Sequence, residues 1–278
     1  MAITVFNIET IIAVARRAGQ LVLQLRRDGL RNIRGKSNEI DLVTEADLAS
    51  EALIREALHE AYPFVGFWGE ESNQQPKEEF FWVVDPVDGT VNYANGVPFY
   101  AVNIALQQAE TTLMGVTVQL PSGHIYWAKR GDGAFLRNPD GDQRRIFVNH
   151  VDRLAGALLT SGFPYHRADS PDNNSSEFVY FLTHAQGVRC MGSAALDLAN
   201  VATGALAGFW EGWLNPWDVA PGALLVREAG GQVTDYNGKE WTLLSRSAIA
   251  SNGRPNLHRE LLEGIQQARA GLTESRLG

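Results

Sequence analysis

Residues 85–98 read DPVDGTVNYANGVP and bring two carboxylates, a glycine and a hydroxyl into one short segment. The segment follows the run FFWVV (residues 80–84), whose continuous apolar character predicts a buried strand. Carboxylates this close repel each other, so a compensating positive charge is expected if they are buried. A solvated turn is the simpler interpretation, because DG is a common turn dipeptide. The apolar residues immediately before Asp85 favour a bound metal ion instead.

Two other acidic segments lie at boundaries between predicted elements. GEES (residues 69–72) follows the predicted strand FVGFW, and NPWDVAPG (residues 215–222) begins a largely apolar helix. Oxygen ligands of this kind suit a hard cation such as Mg²⁺, which keeps several waters. Zinc is disfavoured because the chain has no CxxC or HExxH motif and its six histidines are scattered.

A pair of Mg²⁺ ions about 3.5–4 Å apart needs a bridging carboxylate. Asp85 is the natural bridge, with Glu70 on one side and Asp88 and Asp218 on the other. Gly89 then allows the backbone to approach an anion closely, and free amides at a turn or helix start can bind phosphate. The Thr90 hydroxyl can orient a water, so the residues point to hydrolysis of a phosphate ester.

Composition narrows the class of protein. The chain has 278 residues, of which 45% are hydrophobic and 20% are charged, as in ordinary globular proteins. A net charge of −8 argues against a surface that coats nucleic acid. A lone cysteine, an amino terminus without signal-peptide character and the lack of a long apolar run predict a soluble cytoplasmic protein without membrane contact.

Periodicity predicts alternating helices and strands. Helices are expected after Asn7 and Thr44, over SAALDLANVATGAL with Ser193 as its cap, over WDVAPGALLVREAGG and over residues 256–270. An antiparallel meander is expected between residues 64 and 138, with shorter strands in the second half. Residues 167–176 read as a loose loop, and Pro221 reads as a first-turn proline. Two packed α+β layers should meet near residues 140–155.

Taken together, DLVTEAD, GEES, DPVDGTVNYANGVP, GSAALDLANVATG and WEGWLNPWDVAPG resemble the inositol monophosphatase family in order and spacing. The resemblance extends over nearly the whole chain. It implies an α+β / α/β fold, the five-layered αβαβα sandwich of the inositol monophosphatase / fructose bisphosphatase type. The expected organisation is a single domain over residues 1–278. Its residues 1–145 would form the α+β half with the metal site, and residues 146–278 the α/β half carrying the substrate pocket.

The resemblance also implies an enzyme that uses two to three Mg²⁺ ions, is inhibited by Li⁺ and forms a homodimer. Carried over by position, the implied metal ligands are Glu70, Asp85, the carbonyl of Val87, Asp88 and Asp218. Asp47 and Thr90 would position the attacking water, with Glu70 as its base. The implied substrate contacts are Asp88, Gly89, Thr90, Gly192, Ser193, Ala194, Glu211 and Arg189.

Some of these residues also have structural interpretations. Asp47 can simply cap the helix that follows Thr44, Glu211 can face solvent, and Arg189 can pair with a surface acid. Cys190 is expected to be inert packing in an apolar strand. Lys36 is expected to be a surface lysine near the site. The four tryptophans of the candidate motifs, Trp68, Trp210, Trp213 and Trp217, are expected in the core or in an interface.

The expected reaction is hydrolysis of inositol 1-phosphate to inositol and phosphate. The alternatives are the same chemistry on histidinol phosphate, fructose 1,6-bisphosphate or adenosine 3′,5′-bisphosphate, and a regulatory protein-binding role. A nucleotide-binding loop at GLRNIRGKS (residues 29–37) is disfavoured, because five residues separate its glycines where the motif requires four.

Overall fold

The computed structural model describes residues 5–29, 34–35 and 42–274. Its helices are α1 (Ile8–Arg27), α2 (Glu45–Ala61), α3 (Thr90–Asn95), α4 (Ser175–His184), α5 (Ala194–Ala202), α6 (Pro216–Glu228) and α7 (Pro255–Glu274). Its strands are β1 (Arg34–Gly35), β2 (Leu42–Val43), β3 (Gly66–Gly69), β4 (Phe80–Asp88), β5 (Tyr100–Gln108), β6 (Thr111–Leu120), β7 (Ile125–Lys129), β8 (Gly133–Arg137), β9 (Gln143–Arg145), β10 (Leu158–Ser161), β11 (Gly187–Arg189), β12 (Gly208–Gly212), β13 (Gln232–Thr234) and β14 (Ser247–Ser251). Lys36 and most of the GLRNIRGKS segment lie outside the described residues.

Two mixed sheets form the framework. The larger has the order β3-β4-β5-β6-β7-β8-β9, and all its pairs are antiparallel except β3 with β4. The smaller has the order β11-β10-β12-β14-β13, with β10 parallel to both of its neighbours. The central strands of the larger sheet read as continuous apolar runs because both of its faces are covered.

Helices cover both sheets and complete five layers. α1 and α2 pack on the outer face of the larger sheet, where they share one apolar cluster with its strands. α5 and α6 fill the space between the sheets, and α4 and α7 cover the outer face of the smaller sheet. This arrangement confirms the αβαβα sandwich. Among the described helices, none combines the length and apolar character that crossing a bilayer requires.

The predicted helix starts are confirmed by their caps. The side chain of Asn7 accepts a hydrogen bond from the amide of Glu9 at 2.9 Å, and Thr44 accepts one from Ala46 at 3.1 Å. Ser193 likewise accepts a hydrogen bond from Leu196 at 3.3 Å. These bonds satisfy amides that have no partner inside the helix, which is why such residues mark helix starts in a sequence.

Several expectations were wrong. β4 does not end at Val84 but continues to Asp88, and the last two residues of the expected loose loop already belong to α4. The helical pattern of α4 and the short strand β12 were not recognised. Cys190 follows β11 and is exposed rather than packed in a strand. The expectation for the tryptophans is confirmed for Trp68, Trp210 and Trp217, which are buried in the core, and an interface role for Trp213, which is 46% exposed, stays a prediction.

Pro221 lies inside α6 rather than in its first turn, so the carbonyl four residues earlier lacks its helical partner. The structure supplies another donor, because the side-chain amide of Asn103 on β5 donates to the carbonyl of Trp217 at 2.8 Å. Asn103 is itself held by the hydroxyl of Thr117 at 2.6 Å. Gly115 allows the close approach, since a Cβ there would lie 2.9 Å from the Cα of Pro221.

Candidate active site

A cavity of about 680 Å³ is lined by segments from both halves of the chain. The end of β4, the start of α3 and the turn after β3 form one wall, which we call the first wall. The loop after β10, the β11–α5 junction and the β12–α6 segment form the second wall. The acidic side chains in the lining are Glu70, Asp85, Asp88, Asp197, Glu211 and Asp218.

An irregularity in β4 explains how Asp85 and Asp88 reach the same cavity. Asp85 pairs with Asn103 of β5, and Asp88 pairs with Ala101, so two residues of β4 oppose one residue of β5. Three residues apart in a regular strand, the two side chains would point to opposite faces, and a bulge re-aims one of them. Asp85 also accepts a hydrogen bond from the amide of Val87 at 3.0 Å, which holds the bulge.

Asp88 is the carboxylate whose partners come from the other half of the chain. It accepts hydrogen bonds from the Ser193 hydroxyl at 2.6 Å and from the amide of Ala195 at 2.7 Å, at the start of α5. Burial, with a smaller contribution from the charge of Glu70, raises the pKa of Asp88 to about 6 despite these donors. A carboxylate with a raised pKa beside other carboxylates favours a cation as its ligand.

Thr90 links the cavity to a buried aspartate. Its hydroxyl lies 3.0 Å from the carbonyl of Val87 and 3.2 Å from a carboxylate oxygen of Asp47, and both are acceptors. Asp47 does not line the cavity, because it is buried behind Thr90. Its other oxygen accepts from the amide and the hydroxyl of Thr44, at 2.8 and 2.6 Å. The helix cap and the contact with Thr90 are therefore made by the same side chain.

Gly89 lies at a point of close approach between the two walls. It has a positive φ of 86°, and a Cβ there would lie 3.0 Å from the carbonyl oxygen of Gly192 and 3.2 Å from that of Phe99. Thr90 is the first residue of α3, so its amide lies in the first turn, where helix amides lack intrahelical acceptors. The amides of Gly89 and Thr90 line the cavity and can donate hydrogen bonds to an oxyanion.

Glu70 and Asp218 reach the cavity from turns fixed by their own backbone. The amide of Glu70 donates to the carbonyl of Val84 at 3.0 Å, which continues the pairing of β3 with β4. Asp218 is the third residue of α6, and it accepts from the amide of Asn215 at 2.7 Å in a capping box. Both therefore have a defined place in the cavity lining.

Glu211 and Asp197 form a second acidic pair deeper in the second wall. Burial raises the pKa of each well above its ordinary value, and the negative charge of Asp197 raises that of Glu211 further. One carboxylate oxygen of Asp197 is buried and has no hydrogen-bond partner in the described part of the chain. Asp197 was not among the predicted site residues. The sequence did contain a signal for Asp197, which is an acid inside the otherwise apolar helix AALDLANVA. Acidic residues are seldom fully buried unless they are paired, so an acid in such a helix indicates a functional role.

The structure does not bring Arg189 into this lining. Its guanidinium donates to the carbonyl of Val188 at 3.1 Å on the exposed edge of the smaller sheet.

The loop after β10 was not predicted as part of the site, although it supplies His166 and Arg167 to the second wall. Trp213 contacts His166 edge to face, with ring centres 4.7 Å apart, and has a positive φ of 66°, which is unusual for a side chain of this size. The exposed Cys190 also lines the cavity.

The donor set fits Mg²⁺ better than a softer metal. Across the described ranges, no three acidic, histidine or cysteine side chains are close enough to hold an ion without other ligands. Mg²⁺ keeps several waters and binds through one or two carboxylates together with substrate oxygens, so a cation in this cavity would need water or substrate to complete its ligands. Six carboxylates, two with pKa values well above the ordinary range, also give a cation a strong electrostatic reason to bind.

Comparison with known proteins gives a consistent result. The sequence model of the inositol monophosphatase family matches residues 6–271. An inositol-1-monophosphatase of Synechocystis sp. is 39% identical over 238 residues, covering 85% of this chain and 80% of the relative. The Nus factor SuhB of Pseudomonas aeruginosa is 38% identical over 248 residues, covering 87% and 89%. The solved inositol monophosphatase of Anabaena superposes with a TM-score of 0.80 at 33% identity, covering 93% and 94%.

Proposed function

The chain belongs to the inositol monophosphatase family and is a phosphomonoesterase, and from that premise we propose that it hydrolyses inositol 1-phosphate to inositol and phosphate with Mg²⁺. The observation that carries the proposal is a cavity lined by six carboxylates together with Gly89 and Thr90. Carboxylates can hold the cations, and the amides can hold a phosphate between them.

In this proposal the cations are held mainly by the first wall. Glu70, Asp85 and the carbonyl of Val87 would hold one Mg²⁺, and Asp85, Asp88 and Asp218 a second. Glu70 would share a weaker third ion through water. Bound Mg²⁺ would activate the attacking water and stabilise the negative charge that develops on the phosphate and the leaving oxygen.

The chain's own groups orient that water. The proton of the Thr90 hydroxyl is directed to Asp47 or to the Val87 carbonyl, because both are acceptors within 3.2 Å. The lone pairs of the Thr90 oxygen are then free to accept a hydrogen bond from water in the cavity. Glu70, on the same wall, is the proposed base that takes the proton of the water.

Substrate would lie between the walls. The Gly89 and Thr90 amides would bind the phosphate, and the Gly192–Ala194 segment with Asp88 would contact the ring hydroxyls. The side chain of Glu211 makes no hydrogen bond or ion pair within the described residues, so its oxygens can accept from a hydroxyl of the substrate. Arg189 has no contact with this cavity, and we propose for it only a role at the sheet edge.

The first test is phosphate release from a panel of esters with and without Mg²⁺ and with added Li⁺. The panel contains inositol 1-phosphate, histidinol phosphate, fructose 1,6-bisphosphate and adenosine 3′,5′-bisphosphate. We expect Mg²⁺-dependent, Li⁺-inhibited hydrolysis with the highest kcat/KM for inositol 1-phosphate. A clear preference for another ester would overturn the substrate, and no release from any ester would overturn the proposed catalytic chemistry.

A doubly phosphorylated substrate is the second candidate. His166 and Arg167 are the basic side chains in the cavity lining, and Arg167 makes no ion pair among the described residues. A second phosphate could bind there, since Arg is well suited to phosphate. If so, Arg167→Gln should lower kcat/KM for fructose 1,6-bisphosphate at least tenfold more than for inositol 1-phosphate, at about 1.4 kcal/mol per tenfold. Equal losses would remove this candidate.

We further propose a homodimer in the cytoplasm. Val179 and Leu182 on α4 are 62% and 56% exposed, and they lie beside β11, an edge strand of the smaller sheet. Exposed apolar side chains beside an unpaired strand edge favour association of two copies. Light scattering after size exclusion should give about twice 30.5 kDa, and Val179→Glu should shift the mass towards the monomer.

A regulatory role is the remaining alternative, because relatives at 38% identity are named Nus factors. It predicts that a catalytically inactive Asp85→Asn protein still performs the cellular role of the wild type. Loss of that role together with activity would favour the enzyme alone.

A further inference from the structure

One buried face of α2 contacts every segment of the first wall. Asp47, Ser50 and Glu51 lie on one side of the helix, since residues three and four positions apart share a face. Asp47 binds Thr90, and the buried hydroxyl of Ser50 donates to the carbonyl of Pro86, inside the bulge between the two site aspartates, at 3.1 Å. Glu51 contacts the third segment, the turn that carries Glu70. This contact has no explanation in the proposed chemistry.

Glu51 is a buried carboxylate, 5% exposed, placed directly behind that turn. One of its oxygens accepts from the amide of Glu71 at 2.9 Å. The approach depends on Gly69, because a Cβ at that position would lie 2.2 Å from the same oxygen. The amide of Glu70 is already bonded to Val84, so the peptide groups on both sides of Glu70 are held, one by β4 and one by α2.

Arg55 completes the contact. Its guanidinium binds the second oxygen of Glu51 at 3.0 Å and the hydroxyl of Ser72 at 2.7 Å, and it lies 4.0 Å from the ring centre of Phe67 on β3. The pair therefore forms hydrogen bonds to the turn at two points, the amide of Glu71 and the hydroxyl of Ser72. An ordinary exposed pair on a helix, such as Arg259 with Glu263, makes no comparable contact outside its helix among the residues that the structure describes.

We propose that Glu51 and Arg55 are positioning residues that fix the turn of Glu70 for metal binding. The proposal rests on the proposed function, in which Glu70 is a metal ligand and base. Groups that orient metal ligands from behind commonly change metal affinity about 10- to 100-fold when they are removed. Loosening the turn should therefore weaken metal binding more than it changes the chemistry once the metal is bound.

The test is calorimetric titration of Mg²⁺ into the metal-free protein, alongside the Mg²⁺ dependence of inositol 1-phosphate hydrolysis. Glu51→Gln keeps the size of the side chain but cannot accept from both partners as a carboxylate does. We expect about a tenfold weaker Mg²⁺ affinity, with kcat at saturating Mg²⁺ within about threefold of wild type. Arg55→Lys keeps the positive charge, but an ammonium group cannot bind Glu51 and Ser72 with the planar geometry of a guanidinium. It should therefore show a smaller loss of Mg²⁺ affinity than Glu51→Gln. Glu263→Gln, in the exposed pair on α7, should bind Mg²⁺ as the wild type does.

Several outcomes would overturn the proposal. Unchanged Mg²⁺ affinity in a folded Glu51→Gln protein with a lower melting temperature would reduce the pair to a structural ion pair. If Glu51→Gln does not fold, unchanged affinity in Arg55→Lys has the same meaning. A wild type that binds Mg²⁺ but does not hydrolyse inositol 1-phosphate would refute the proposed substrate and leave the calorimetric test of positioning intact. A wild type that binds no Mg²⁺ would refute both proposals.

Discussion

The two walls of the cavity are built in different ways. The site residues of the first wall lie within about 21 residues of chain, from Glu70 to Thr90, and the segments that carry them are held by hydrogen bonds to neighbouring backbone or to α2. The second wall collects residues from three distant segments, and its Glu211 has no hydrogen-bond partner in the described chain. Asp88 stands between them, on the first wall but bonded to α5. The first wall is held by hydrogen bonds within the chain, whereas the second has carboxylate acceptors without a partner among the described residues.

This difference assigns separate tasks to the walls. A preorganised set of carboxylates suits cations, whose binding is intolerant of misplaced ligands. Acceptors without partners suit a substrate rich in hydroxyl groups, because a substrate lacking those groups would leave buried acceptors unpaired. Changes in the first wall should therefore affect metal dependence, and changes in the second should affect KM.

The largest effect is expected from Asp85→Asn in the first wall. Asparagine is nearly isosteric, but it removes the charge that would bridge two cations. Loss of several kcal/mol of transition-state stabilisation, at about 1.4 kcal/mol per tenfold, predicts a fall in kcat/KM of about a thousandfold. Steady-state hydrolysis of inositol 1-phosphate across a Mg²⁺ series measures it.

The matched control is Asp140→Asn, in an exposed turn after β8, which should leave activity unchanged. Circular dichroism should show that the Asp85→Asn protein remains folded. Activity within tenfold of wild type would exclude a bridging role for Asp85.

A smaller, separate effect is expected in the second wall from Gly162→Ala. A Cβ at Gly162 would lie 2.4 Å from both carboxylate oxygens of Glu211, so the carboxylate must move. Loss of its hydrogen bond to substrate, about 1–2 kcal/mol, predicts a rise in KM of about tenfold. The Mg²⁺ concentration for half-maximal activity should not change.

Gly156→Ala provides the control, because its nearest neighbour would lie 3.7 Å away and the added methyl group is accommodated. In Gly162→Ala, the Mg²⁺ concentration for half-maximal activity could instead rise by the same factor as the KM for inositol 1-phosphate. That result would show that the two walls do not act separately.

The sequence was more informative about the first wall than about the second, and the reason is physical. The bulged strand and the turns that carry Glu70, Asp88 and Thr90 are local, so neighbouring residues reveal their acids, glycine and hydroxyl. The position of Asp197 and the loop with Arg167 depends on how β10, β12 and α5 pack, which no local pattern specifies. The inferred roles of Glu211 and Gly192 came from the family resemblance rather than from local pattern.

Long-range compensation limited the fold prediction as well. Pro221 was assigned to the first helical turn because a proline inside a helix leaves a carbonyl unpaired. The donor that removes this penalty, Asn103, lies 114 residues before its partner Trp217. α4 was missed for another reason, since its N-cap, Asn174, has a positive φ of 67° and makes no side-chain cap bond.

Ser193→Ala tests the residue pair that joins the walls. Ser193 donates to Asp88, and this bond opposes the effect of burial, so its loss should raise the pKa of Asp88 above about 6. Protons then compete better with Mg²⁺ as the pH falls, because a protonated carboxyl is a poor ligand. At limiting Mg²⁺ and pH 6, activity should fall about three- to tenfold, with recovery at pH 8.

Ser193→Thr keeps the hydroxyl and should behave like the wild type. Ser193 also caps α5, so a purely structural role predicts a loss that is equal at both pH values. An equal loss would show that the bond to Asp88 has no part in metal binding.

The smallest effect on activity is expected at His258, behind the second wall, where the change is in stability. Its ring is buried between the hydroxyls of Ser251 at 2.8 Å and Thr234 at 3.1 Å, and burial lowers its pKa to about 4. An unfolded chain binds this proton below about pH 6.5, but the native protein does so only near pH 4. The contribution of the neutral His258 ring to the free energy of unfolding is therefore complete above pH 6.5. It is lost as the pH falls towards 4, at up to about 1.4 kcal/mol per pH unit.

The effect of His258 on stability has to be separated from that of Asp197 and Glu211, whose raised pKa values increase the stability of the metal-free protein as the pH falls. Comparison of variants makes this separation. In metal-free urea unfolding between pH 4.5 and 7, His258→Gln should show a shallower loss of stability on acidification than the wild type. His59→Gln, on the exposed side of α2, should reproduce the wild-type slope. If His258→Gln also has the wild-type slope, the pKa of His258 does not differ between the native and unfolded states, and the acid sensitivity of the wild type must come from other groups.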